Sequence, residues 1–61
     1  MKTTTQNLQV GDVIVREDIE VMTVPVPTHH GRMMFIGREK GKTFEHVAQA
    51  TVEWDVLRWG S

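Results

Sequence analysis

The chain has 61 residues, no cysteine and a net charge of −1 at neutral pH. That length allows one domain with a small core, worth roughly 3–5 kcal/mol of net stability and burying only about 60% of the unfolded surface. With no cysteine there is neither a disulfide nor a thiolate zinc site, and a near-neutral molecule lacks the strong field of a dedicated polyanion binder.

Residues 1–7 are polar and are expected to form a flexible N-terminus, with no apolar signal segment. Leu8-Gln9-Val10-Gly11-Asp12-Val13-Ile14-Val15 reads as a tight turn that launches a strand. Gly11 supplies φ > 0, Asp12 bonds back to nearby backbone N–H groups, and the stiff β-branched run Val13–Val15 suits a pleated strand. The first strand is placed at about 13–16, and Glu17-Asp18 forms a charged connection.

A second strand is expected over about 19–26, with Ile19, Val21 and Thr23 on one face and Met22, Val24 and Val26 on the other. Pro25 and Pro27 lack N–H donors and put its end at an edge or bend. His29-His30-Gly31 closes a turn. The third strand, Met33-Met34-Phe35-Ile36, is wholly apolar and is expected to be the most buried element, with a bulge or bend at Gly37. Arg38-Glu39-Lys40-Gly41-Lys42 is a charged hairpin tip rather than a phosphate loop, because it lacks the required spacing and following helix.

Two readings compete for residues 43–58. As strands, Phe44, His46 and Ala48 share one face, and Val52, Trp54 and Val56 share another, opposite Thr51, Glu53 and Asp55. As one C-terminal helix, Thr43 is the N-cap and Phe44, Val47, Ala48, Thr51 and Leu57 lie near one another. The strand reading is preferred, with one helical turn at 46–50, because β-branched residues recur here. Residues 8–59 then form a single all-β domain, a small SH3-like barrel or meander of four to five short antiparallel strands. Gly60 and Ser61 receive no assignment.

Leu8-Gln9-Val10-Gly11-Asp12-Val13-Ile14 resembles the L-x-x-G-D-x-I opening of many small SH3-like barrels, among them KOW-type modules and short proteins encoded by bacteriophages of actinobacteria. The specific likeness covers seven residues, and the rest is strand rhythm. It implies a fold, and a phage-type accessory role acting on a bacterial host factor. It does not extend to the basic character of ribosomal KOW proteins, since this chain is slightly acidic.

Chemistry-bearing groups are sparse. Serine occurs only at Ser61, and no nucleophilic arrangement is present. The pair Glu53 and Asp55 is read as a solvated strand face, and His29, His30 and His46 follow no metal-ligand spacing. The protein is therefore expected to be a non-enzyme with no cofactor and no bound metal. No apolar run approaches the ~20 residues of a membrane helix, and a cytoplasmic location is expected.

Charge is distributed unevenly. Residues 1–28 net −2, residues 29–42 net +3 (Arg32, Arg38, Lys40 and Lys42 against Glu39), and residues 43–61 net −2. The leading expectation is an interaction protein that binds a protein partner or itself, as a homo-oligomer, through Trp59, Arg58, Arg32 and Arg38. An exposed tryptophan beside arginine matches the make-up of interface hot spots. The alternative is a weak nucleic-acid-binding module using Arg32, Arg38, Lys40 and Lys42 with a neighbouring aromatic ring.

Overall fold

β-Branched residues and period-two alternation drive this chain into seven short antiparallel strands, described for residues 1–59 by a computed structural model. Gly60 and Ser61 lie outside the described residues. The strands are β1 (Lys2–Thr4), β2 (Val13–Ile14), β3 (Ile19–Val21), β4 (Val26–Pro27), β5 (Arg32–Glu39), β6 (Lys42–Gln49) and β7 (Glu53–Leu57). They join in the order β1-β7-β2-β3-β5-β4, with β6 paired to β5. The protein is thus all-β, a small barrel-like meander in which β2, β3, β5 and β6 follow one another and β7 returns beside β2.

Several expectations are corrected. There are seven strands rather than four or five, the additional ones being the short β1 and β4. The polar N-terminus is not a loose tail: Lys2, Thr3 and Thr4 stand opposite Asp55, Trp54 and Glu53. Polarity misled here, because threonine suits a strand as well as valine does. Thr5–Asn7 continues as a 3-10 turn whose Thr5 and Gln6 N–H groups donate to the Val52 and Ala50 carbonyls.

The single strand expected at 19–26 is split in two. Pro25 has no N–H to offer, and between β3 and β4 the ladder is carried by Met22, whose N–H donates to the Ile36 carbonyl, and by the Thr23 hydroxyl, which accepts the Ile36 N–H at 2.9 Å. The helix considered over 43–58 is absent, and so is the helical turn at 46–50. β6 runs unbroken to Gln49, a turn occupies 50–52, and β7 follows.

The β5–β6 hairpin is the longest ladder, pairing Arg32 with Gln49 through to Glu39 with Lys42. Its two-residue tip has φ of +50° at Lys40 and +80° at Gly41, as the primed turns that match strand twist require. No bulge interrupts β5 at Gly37, which faces Val21 on one side and Phe44 on the other. Glycine is needed there for room. A Cβ would lie 2.5 Å from Ile19 Cγ2 and 2.9 Å from the His46 ring.

The core consists of Leu8, Ile14, Ile19, Val21, Phe35 and Val56, with Trp54 packed against it. Phe35 is its centre, stacked on His46 at 5.3 Å and meeting Trp54 edge-on at 6.3 Å. β5 is not buried throughout, as its composition had suggested. Phe35 and Gly37 point inward, while Met34 and Ile36 stand half-exposed on the outer face. Val10 and Val15, on either side of the Gly11-Asp12 turn, are exposed.

Replacing Gly37 by alanine forces a methyl group into occupied space. The expected loss is about 1–3 kcal/mol, lowering the melting midpoint by at least roughly 5 °C in a thermal denaturation series.

Candidate functional site

The side chains singled out by sequence fall into three places. The first lies below β2. Gly11 donates its N–H to the Val21 carbonyl, and Asp12 both donates to the Gln9 carbonyl and, through its own carbonyl, accepts from Val21. This turn drives the Asp12 carboxylate inward, where 1% of the residue remains exposed. Oδ2 accepts the Gln9 N–H at 2.9 Å and Arg58 Nη2 at 2.8 Å, and Oδ1 accepts Arg58 Nε at 2.8 Å. A further Arg58 N–H reaches the Asn7 carbonyl at 3.4 Å.

Arg58, expected to meet a partner, is engaged within the fold by Asp12. A planar fork gripping both oxygens of a carboxylate is the strong form of this interaction. The hydrogen bonds from Arg58 hold the Asp12 carboxyl below its ordinary range against the opposing pull of burial, and the Gln9 amide and the arginine's charge add to the effect. Asp12 in turn raises the guanidinium above its usual value. Trp59 follows immediately and is left outside, 78% exposed.

The second place is the outer face of β4, β5 and β6. Directly opposed residues in a ladder share a face. Val26 stands opposite Met34, and Met34 opposite Val47, which makes one apolar row across three strands. Val26 is 46% exposed and Val47 52% exposed, with the half-exposed Ile36 next along β5. Arg32 and Arg38 occupy the two ends of this same face, since both keep the parity of Met34 and Ile36. Arg38 is held by Glu20 at 2.6 Å. No ion pair among the described residues involves Arg32.

The third place is the hairpin tip. Lys40 and Lys42 are exposed there, and Lys42 shares the opposite face of β6 with Phe44, 47% exposed. The four central cations consequently do not form one patch. Arg32 is at the far end of β5, Arg38 is neutralised, and only Lys40 and Lys42 sit together.

Other groups are placed without a shared chemistry. His29 and His30 are exposed in a 3-10 turn with ring centroids 6.3 Å apart. His46 lies over Gly37 with Nε2 buried, unbonded, and 3.5 Å from Glu39 Oε2. Among the described residues, no three histidine, cysteine or acidic side chains converge to hold a metal ion. Lys2, Arg16, Glu17, Glu53, Trp54 and Asp55 line a shallow cavity of about 200 Å³, within which Lys2 and Asp55 are ion-paired. No helix of the described residues is long and apolar enough to cross a membrane.

The sequence reading missed the row Val26–Met34–Val47. Its signal was the parity of the β5 side chains, which the wholly apolar run Met33–Ile36 concealed. It also missed the partner of Asp12, which no local spacing reveals. No protein-family model matches the chain, and no curated protein or solved structure matches it either.

The buried pair makes stability acid-sensitive in one direction. Asp12 has a folded pKa below its unfolded one, so its contribution is full above the unfolded value of about 4 and disappears as pH falls through the folded value. Denaturation midpoints of wild type are expected to fall more steeply between pH 5 and pH 3, roughly the window of a carboxylate, than those of Asp12→Asn. At pH 7, Asp12→Asn and Arg58→Met each lower the midpoint, and the double variant loses less than the sum of the two.

Proposed function

We propose that this protein is a non-enzymatic interaction module that binds another protein, or a second copy of itself, through the outer face of β4–β6. The observation that carries this reading is the cross-strand row Val26–Met34–Val47, where an aliphatic surface stays open to solvent in a protein whose core holds six residues. Arg32 flanks the row, with no ion-pair partner among the described residues, giving an apolar centre beside a charged rim. Trp59 provides a separate exposed anchor beyond β7.

The likeness of the Leu8–Ile14 opening to small phage-encoded barrels adds a more specific version, in which the partner is a bacterial host factor met in the cytoplasm. A second reading rests on Phe44, whose half-exposed ring shares a face with Lys42 near Lys40. It is a weak single-stranded nucleic-acid binder, with affinity that falls steeply as salt rises.

The interaction reading is tested by solution mass and by cross-linking capture from bacterial extract, with wild type, Val26→Asp and Trp59→Ala. A specific adduct or dimer weakened about tenfold or more by Val26→Asp is expected. A monomer that captures nothing, wild type and variants alike, removes the proposal. The nucleic-acid reading requires that neutralising Lys40 and Lys42 together abolish oligonucleotide binding.

A further inference from the structure

β6 pairs with β5 along one edge only, and among the described residues no strand covers the other. Ile36 N–H and C=O bond to Thr23 and Met22, on the side of β5 away from β6. Directions alternate along a strand, so Phe35 and Gly37 bond toward β6, to their partners His46 and Phe44. The Ala50 N–H donating to the Gly31 carbonyl agrees with this phase. Thr43, Glu45, Val47 and Gln49 therefore turn their backbone groups outward.

Natural sheets blunt such edges with proline, bulges, inward charges or central lysines. β6 has no proline, its lysine is its first residue, and its one mid-strand charge is the exposed Glu45. The outermost residue of the apolar row, Val47, lies on this edge.

We infer that the occupant of this edge is a second copy of the chain, with β6 pairing antiparallel to β6 of its partner about a two-fold axis. This rests on the interaction reading above and names its partner. For a strand of eight residues, only two two-fold registers keep seven residues in overlap. One is centred on Glu45 and sets two carboxylates directly opposite, which is destabilising. The other is centred on His46. It sets Glu45 opposite Val47, Thr43 opposite Gln49, and Phe44 opposite Ala48, with no like charges directly opposed. The two Glu45–Val47 pairs exchange roughly four backbone hydrogen bonds across the axis.

Two β5–β6 hairpins then form one continuous sheet, in which Val47 of each copy packs beside Glu45 of the other and the two Met34 rows lie on the same outer face. A standard stable interface takes about 800 Å² from each partner, close to a fifth of the 4306 Å² this chain exposes. Pairing along a single strand covers less than that, so the dimer is a reversible one with a dissociation constant roughly in the micromolar range.

The experiment is sedimentation equilibrium of the full chain across concentrations bracketing roughly 1–500 μM, with circular dichroism as a check of folding. Val47→Pro removes an outward N–H that the monomer does not use, and Val47→Lys blunts the edge without altering the backbone. Wild type is expected to pass from monomer to twice that mass over this range. Both variants are expected to remain folded and monomeric, Val47→Lys alone deciding the matter if proline unfolds the chain. A wild type that stays monomeric throughout overturns self-pairing, and the interaction reading then stands or falls separately on capture from extract. A dimer that survives unchanged in Val47→Lys overturns the edge assignment while leaving self-association in place.

Discussion

A carboxylate buried beneath a small β-sheet must be neutralised, and the rest of this fold is arranged around how that is done. Asp12 is forced inward by the turn that starts β2, where it receives a backbone N–H from Gln9 and both arms of Arg58. The two residues are 46 positions apart, so the pair fastens the start of β2 to the end of β7. In a chain with no disulfide, it serves as the cross-chain tie. It also occupies the Arg58 fork within the fold, while the adjacent Trp59 stays exposed.

The second constraint is the narrowness of the core. With Phe35 as the only large ring buried completely, the sheet closes over it using whatever each strand can supply. His46 covers one face and the edge of Trp54 another. Gly37 contributes the space that lets Ile19 and the imidazole meet. The Trp54 indole N–H donates to the hydroxyl of the buried Thr5, which anchors the 3-10 turn to β7. A core this thin cannot also bury Met34, Ile36, Val26 and Val47, and they remain on the outer face.

Local chemistry was legible in the sequence and long-range chemistry was not. The Gly11-Asp12 turn, the Lys40-Gly41 hairpin and the inward alternation of Trp54 and Val56 follow from residue types alone, and with them the all-β class, whereas Val52 lies in the preceding turn and is exposed. Pro25 hinted at a break but not that one expected strand was two. Threonines at positions 3–5 looked like a solvated tail because pairing with β7, some fifty residues away, leaves no trace in a seven-residue window. For the candidate site, the place of Arg32 at one end of β5 follows from the sequence, whereas residue type alone left Trp59 open between a plug closing the barrel and an exposed side chain. The apolar run of β5 hid which of its members face outward, and the reach of Arg58 to Asp12 is a property of the closed fold.

The same geography orders the folding reaction. β5 and β6 meet through a two-residue tip whose closure costs little entropy, and hairpins of this kind form in roughly 1–10 μs. β1 joins β7, and Asp12 joins Arg58, only after nearly the whole chain has been gathered. Contacts of such long separation belong to the late, slow part of the reaction. The last ties to form are in that case also the first to open, so transient fraying exposes the two ends of the chain while the central hairpin stays intact.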